Sequence, residues 1–348
     1  MVDRLFRDVR LEGDERVLLL CPTDSSFFGL LEETGHEGPV LVADFDAARL
    51  ASSYEWSDGL ANVLFTTWNL TTVSPPPRGS QPQVILVDVD SAPGKQAGVF
   101  LVRAAAGWCS GPAYVRGSRS SGMESIVREA ELAGGLTVRD IKWRKGIGLA
   151  TVAALHPNLT PPRRPVLGRR RVGEHELLLE SDAFTFAGGD VDAASALLAQ
   201  AVELAGDELI LDLGCGAGIV GLVLARRAPS ALVVMSDANR SSVTVCRRNR
   251  LRNNVPNGAV VLTTAVDGLR EARFDVVALN PPLHMGRHDD REAGEHLVTE
   301  AFTACRAGGR VYVVSGRSIP YRKLMEQFGE TKEVASDSRF RVLKTVTA

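Results

Sequence analysis

The chain of 348 residues has no uninterrupted apolar run of the ~18 residues that a bilayer-spanning helix needs. A membrane partner is therefore not expected. Cysteine is scarce: Cys21, Cys109, Cys215, Cys246 and Cys305 form no CxxC spacing and pair with no histidine motif. That argues against a disulfide framework and against a zinc site, so no metal is expected, and it fits a reducing cytoplasm. The opening, MVDRLFRDVRLEGDERV, is charged and lacks an apolar segment before Val17, so a secretory leader is not expected. An excess of one charge is also missing. A net charge of −2 excludes a uniformly polycationic molecule.

Arginine nevertheless gathers locally. RRPVLGRRR (163–171) holds five in nine residues, Arg163, Arg164, Arg169, Arg170 and Arg171, and RRNRLR (247–252) holds four in six. Such clusters can track a phosphate backbone even on a neutral protein; equally, they suit a solvated linker and a solvated helix face. The remaining composition, 45% hydrophobic and 24% charged, is that of an ordinary globular protein. The length favours two domains.

The second half carries the chemistry. LILDLGCGAGIVGLVLARRA (209–228) reads as a short apolar strand, a glycine turn at Gly214, Gly216 and Gly218, and a helix. Strand, glycine turn and helix open the nucleotide-binding half of a doubly wound sheet. The G-x-G-x-G spacing differs from the dinucleotide fingerprint. Asp212, just before the glycines, opposes a phosphate and suits a cationic ligand. The next strand, ALVVMSD (231–237), ends at Asp237, placed to accept ribose hydroxyls or to cap the following helix. AVVLTTA (259–265) is a third strand leading to Val266 and Asp267. The fourth, FDVVALNPPLHMG (274–286), stops at Asn280 because Pro281 and Pro282 lack N–H groups and fix φ. A helix near 292–306, a turn at Gly308 and Gly309, a strand at 310–316 and an edge hairpin ending in 340–346 complete the reading.

DLGCGAG, the acid closing strand two, and NPP closing strand four together resemble the class I S-adenosylmethionine (SAM) dependent methyltransferases. The resemblance implies S-adenosyl-L-methionine as cofactor, held by Asp212, Gly214, Cys215, Gly216, Gly218, Asp237, Ala238 and Asn280, with Asp267 near its adenine. NPPxHxG, rather than NPPY, is similar to the ribosomal RNA guanine-N2 methyltransferases. It implies catalytic roles for Asn280, Pro281, Pro282 and His284. Leu283 departs from the usual aromatic at that place, so Phe184 or Phe186 is expected to supply the stacking surface. SDAFTFAGGDVDAASALLAQAV (181–202) is similar to that family's segment preceding the fold, with Asp192 before a helix over 193–204. The same NPP chemistry serves adenine N6 and protein glutamine, and a non-catalytic RNA-binding or assembly factor is a further alternative.

The first half lacks these glycines, yet it echoes the second. VLLLCPTDSSFFGLL (17–31), GPVLVADFD (38–46) and QVILVDVDSAPGK (83–95) repeat strand–turn–helix, acid-ended strand and proline-ended strand. Asp44 precedes Asp237 by 193 positions and Asp88 precedes Asn280 by 192, which indicates a duplicated fold. CPTD stands where GCGAG would be, so the first copy is expected to be catalytically dead. The two-domain small-subunit guanine-N2 family has this same plan. The expectation is an α/β chain of two tandem Rossmann-like units with seven-stranded, mostly parallel sheets. Residues 1–160 form a degenerate copy for RNA binding and support, 161–180 an arginine-rich linker, and 181–348 the catalytic domain. Lys95, Arg119 and the linker arginines are candidates to face RNA. The expected partner is ribosomal RNA or a ribosomal subunit, and the expected state a cytoplasmic monomer.

Overall fold

The computed structural model describes all residues except 1–4, 7–8, 58–59, 69–78, 157–158, 160–165, 186–190, 265–268, 270–272 and 282–287. The chain divides into two compact units, Met1–Arg164 and Pro165–Ala348.

The first unit runs β1 (Val17–Leu20), α1 (Ser26–Thr34), β2 (Val40–Asp44), α2 (Ala47–Trp56), β3 (Val63–Thr67), β4 (Val84–Asp88), α3 (Lys95–Trp108), β5 (Ala113–Ser118), α4 (Met123–Leu132), β6 (Leu136–Arg144) and β7 (Ile147–Ala154). Its sheet has the order β3-β2-β1-β4-β5-β7-β6. The second unit begins with a hairpin of β8 (Val166–Val172) and β9 (His175–Ser181), then α5 (Ala193–Ala201) and β10 (Leu209–Leu213). It continues with α6 (Ile219–Arg227), β11 (Leu232–Asp237), α7 (Arg240–Arg252), β12 (Gly258–Leu262), β13 (Phe274–Leu279) and α8 (His288–Ala304). β14 (Cys305–Gly316), α9 (Tyr321–Met325), β15 (Gly329–Ser336) and β16 (Phe340–Thr347) end it. Its sheet order, β12-β11-β10-β13-β14-β16-β15, repeats the first.

Both sheets are seven-stranded. In each, the first five strands pair in parallel and the last two antiparallel. The pairing register makes the duplication residue-specific. Leu20 lies beside Ala43 and Val87, and Leu213 beside Ser236 and Leu279. These equivalent residues stand 193, 193 and 192 positions apart along the sequence.

The central strands of the second sheet are apolar on both faces, because helices cover both. Ile210, Val233, Val276 and Ala278 pack with α5 and α6 residues such as Leu198 and Leu222. Leu211, Leu213, Val277 and Leu279 pack on the other face with Val298, Phe302 and Tyr321.

Two local readings are revised. Within 161–180, read as an arginine-rich linker, residues from Val166 onward form the β8–β9 hairpin of the second unit, which ends at Ser181. The turn expected at Gly308 and Gly309 lies inside β14. There Cys305 faces Phe274 while Arg310 faces Val276, so the extra residues bulge out with Gly308 at φ +70. The expected edge hairpin is present as β15–β16, with β16 joined to β14 and β15 outermost.

Candidate active site

Strand order reverses between β11 and β13 on either side of β10, and ligands of open α/β sheets bind at the carboxyl ends of strands flanking such a switch point. Asp212, Gly214, Cys215, Gly216, Gly218, Asp237, Ala238, Asn280 and Pro281 all lie there, within or just after β10, β11 and β13.

The glycine turn has three positive φ values: +70 at Gly214, +54 at Gly216 and +89 at Gly218. A side chain at Gly218 would strike Cys246 Sγ at 2.6 Å, so that glycine is needed for packing as well. Beside Gly214 and Gly216 nothing lies within 4 Å of where a Cβ would stand. The turn therefore borders a space that a close-fitting ligand can occupy. Gly216 N donates to Asp237 Oδ2 at 2.8 Å, and Asn239 N donates to Asp237 Oδ1 at 2.7 Å. Asn239, rather than Asp237, caps α7, accepting from Ser241 N and Ser242 N. This frees the partly exposed Asp237 from the capping duty that was its alternative reading.

Asp212 is buried and accepts one bond, from Gly221 N at 2.8 Å. Burial pushes its carboxyl up to about 7; the Gly221 bond opposes this and the nearby Asp237 charge adds to it. A buried carboxyl lacking a cationic partner among the described residues, beside an open glycine turn, fits a ligand that brings a positive charge.

Asn280 follows β13, and its amide is held from one side. Nδ2 donates to Asp192 Oδ2 and to Ser195 Oγ, each at 2.9 Å. Asp192 caps α5 through Ser195 N at 3.0 Å, so the helix start and the asparagine share one carboxylate. The amide orientation follows from charge: only the NH2 group can face a carboxylate. Oδ1 is thereby turned away. It is buried and accepts no hydrogen bond among the described residues. A buried acceptor without a donor costs roughly 1–3 kcal/mol, so the site is built to receive an N–H.

The other expected residues fall elsewhere. Phe184 is fully buried and its carbonyl accepts from Asn239 Nδ2 at 2.9 Å. Its ring is packed away, and the other candidate for a stacking surface, Phe186, lies outside the described residues. Lys95 is the first residue of α3 and pairs with Glu129 at 2.5 Å. Arg119 is exposed and lies over the Trp143 ring at 4.6 Å. Arg169, Arg170 and Arg171 are on β8, where Arg169 meets Glu176 at 2.8 Å and Arg171 donates to the Gly173 carbonyl at 3.1 Å. Pro282, Leu283, His284, Phe186, Asp267, Arg163 and Arg164 lie outside the described residues.

The second arginine cluster is committed inside the fold. Arg248 and Arg252 each pair with Glu180 at 2.6 Å, while Arg247 and Arg250 donate to the carbonyls of Val260 and Gly258. Ser195, Asn239, Asn249 and Glu180 were not anticipated. A D-x-x-S pattern at Asp192 and Ser195 was the available signal for the first, since it reads as a helix cap.

In the first unit the equivalent positions are closed. Asp44, ending β2, is buried and receives Arg49 through two bonds of 2.8 and 2.6 Å. Asp88, ending β4, is buried against Thr23 Oγ1 at 2.6 Å and Arg116, whose guanidinium also reaches Asp24. Cys21, after β1, takes φ +55 without being glycine.

Residues 176–344 match the methyltransferase small domain family. Among curated proteins, ribosomal RNA small subunit methyltransferase C of Serratia proteamaculans is 27% identical over 175 residues, which is 50% of each chain. The Enterobacter sp. protein of that name is 29% identical over 67% of this chain and 66% of its own. That of Ectopseudomonas mendocina is 28% identical over 70% and 73%. The first match thus spans about half of the relative's length. Among solved structures, the 16S rRNA N2 methyltransferase of T. thermophilus, described with AdoMet and guanosine, superimposes with TM-score 0.79 at 22% identity. That superposition covers 99% of this chain and 93% of the other, so the tandem fold is shared end to end. Residues 176–344 of the second unit thus match the methyltransferase small domain family, and the chain is similar in sequence to the ribosomal RNA small subunit methyltransferase C proteins and in tandem fold to the T. thermophilus structure.

Proposed function

We propose that this chain transfers a methyl group from S-adenosyl-L-methionine to the exocyclic N2 amine of a guanine in ribosomal RNA, of the 16S type foremost. One observation carries the proposal: Asn280 Oδ1, buried, oriented and without a donor at the switch point. The N2 lone pair is delocalised into the purine ring, so the amine is a poor nucleophile. With one N–H accepted by Oδ1 and the other by the Pro281 carbonyl, the nitrogen can become pyramidal and free its lone pair. Asp192 and Ser195 hold the acceptor in place beforehand, so no reorganisation is needed at the moment of reaction. The cofactor supplies an activated methyl on a sulfonium. Asp212 offers that cation a buried carboxylate, Gly214, Cys215, Gly216, Gly218 and Ala238 the turn and strand end around it, and Asp237 acceptors for its ribose. Asp267 completes that set in this reading. Pro282 stiffens the loop, and Leu283, His284 and Phe186 meet the base. A base taken out of its stack is expected, because N2 is otherwise covered.

In this reading the first unit supports the fold and widens the RNA surface through Lys95 and Arg119, and the arginines of 163–171, three of them on β8 of the second unit, add to that surface. Its two acids are consumed by Arg49 and Arg116. No helix among the described residues is long and apolar enough to cross a membrane, and the chain is proposed to act as a cytoplasmic monomer.

The test uses labelled cofactor with ribosomal subunits and with naked rRNA, followed by digestion and mass spectrometry of the nucleosides. N2-methylguanosine is the expected product, absent with Asn280→Ala although that variant still binds cofactor. N6-methyladenosine, label in protein glutamine, or turnover that survives Asn280→Ala would each overturn the assignment.

A further inference from the structure

Asn249 joins two segments far from it in sequence. It is fully buried within α7 and turns both its amide hydrogens and its Oδ1 toward those two segments. Its Oδ1 accepts from Glu180 N at 2.7 Å, and its Nδ2 donates to the Glu180 carbonyl at 3.0 Å. The second Nδ2 hydrogen goes to the Ala217 carbonyl at 2.9 Å. Ala217 stands between Gly216 and Gly218, inside the glycine turn. Four residues on, and on the same helix face, Asn253 repeats the first half of this pattern on Leu178. Its Oδ1 accepts from Leu178 N at 2.9 Å and its Nδ2 donates to the Leu178 carbonyl at 2.8 Å. Its remaining hydrogen returns to the Asn249 carbonyl within α7, not to the turn. The two amides thus pair with alternate residues of β9 as a neighbouring strand would, and only one of them also reaches the glycine turn.

We propose that Asn249 is a positioning residue for the cofactor turn: by fixing the Ala217 carbonyl it holds the 214–218 backbone in its ligand-ready shape, and it ties that shape to β9. The inference rests on the cofactor reading above. The physical reason lies in the turn's composition. Three glycines allow the positive φ values that the turn needs, but they also give the free backbone many other conformations. Ordering such a loop on ligand binding weakens affinity by the entropy lost. A buried amide that already holds the central carbonyl removes part of that loss before the ligand arrives. Cys215 N to the Ser236 carbonyl and Gly216 N to Asp237 tether the first half of the turn, and Gly218 N closes it on the Cys215 carbonyl; Asn249 ties its second half to β9.

Asn249 and Asn253 are a matched pair for the test. In the full-length chain, binding of S-adenosylhomocysteine is measured by calorimetry, and amide exchange of residues 214–218 is followed without ligand. Asn249→Ala is expected to raise Kd by about tenfold, the loss of one buried hydrogen bond, and to speed exchange in the turn. Asn253→Ala is expected to lower Tm comparably while changing Kd less than about twofold and leaving turn exchange as it was. If Asn249→Ala does not fold, Asn249→Ser is read the same way. Equal effects of the two substitutions on Kd would reduce Asn249 to a hairpin anchor and overturn the proposal. Absence of binding by the unaltered chain is a different outcome: it overturns the cofactor reading, and this inference with it.

Discussion

At the scale of single residues, the site is a set of groups held in states that water alone would not favour. Asp212 has its carboxyl raised to about 7 by burial, against the Gly221 bond. Its folded value lies above the unfolded one, so its contribution to the stability of the free chain is full below about 4 and lost as pH rises through about 7. A cationic ligand prefers the ionised form, so affinity for S-adenosylmethionine is expected to rise with pH across that range. Calorimetry between pH 6 and 8 checks it, and Asp212→Asn should flatten the profile. Asn280 shows the complementary device. Its oxygen is left without a donor among the described residues, because Asp192 and Ser195 claim its NH2 group. Asp192→Ala should release the amide to rotate and lower kcat by roughly 10²-fold, the cost of small misplacement at a reacting centre. Single-turnover kinetics at saturating cofactor would read that loss.

At the scale of elements, the β8–β9 hairpin is the piece that composition misrepresents. Arg169, Arg170 and Arg171 made residues 161–180 resemble a solvated linker. Yet Leu177 and Leu179 alternate inward on β9, and Gly173 at φ +56 begins the two-residue turn. The hairpin is fastened to α7 by Asn249 and Asn253 and by Glu180, which lies between Arg248 and Arg252. Burial alone would raise the Glu180 carboxyl, but hydrogen bonds from Arg252 and Arg248 outweigh it and hold the group below its usual value. A depressed carboxyl contributes stability above its unfolded value and loses it as pH falls through the folded one. Glu180→Gln is therefore expected to cost about 2 kcal/mol at pH 7. That is the low end for a buried carboxylate, since both guanidiniums remain two-fifths exposed. Chemical denaturation at pH 7 and pH 4 should show the deficit narrowing in acid.

At the scale of the whole chain, two copies of one sheet order have diverged in what their strand ends do. In the second unit the β11 acid borders an open turn, while in the first the β2 and β4 acids are closed by Arg49 and Arg116. The proposed RNA surface includes the 163–171 arginines, three of them on β8 of the second unit, and RNA affinity measured against salt tests their part. Replacing all five by alanine should make the slope of log K against log salt shallower by up to about 3–4, because each single-strand phosphate that an arginine neutralises contributes ~0.7 to it. An unchanged slope would place the RNA elsewhere.

Much of this was legible along the chain. Strand, glycine turn and helix at 209–228, the acid closing β11, and the asparagine and proline closing β13 are local signals, because a strand followed by residues with special φ requirements can do little else. The near-constant offset of Asp44 from Asp237 and of Asp88 from Asn280 likewise revealed the repeat, since duplicated strands keep their spacing. Tertiary structure decided what depends on partners distant in sequence. It turned Asn280 through a carboxylate 88 residues away, buried the ring of Phe184, and paired Arg248 and Arg252 of α7 with Glu180. It also decided which strand of the edge hairpin is outermost, β15 rather than β16. A charge or an aromatic ring is written in the sequence, but whether it meets solvent, an ion-pair partner or a packed core is settled only when the chain closes on itself.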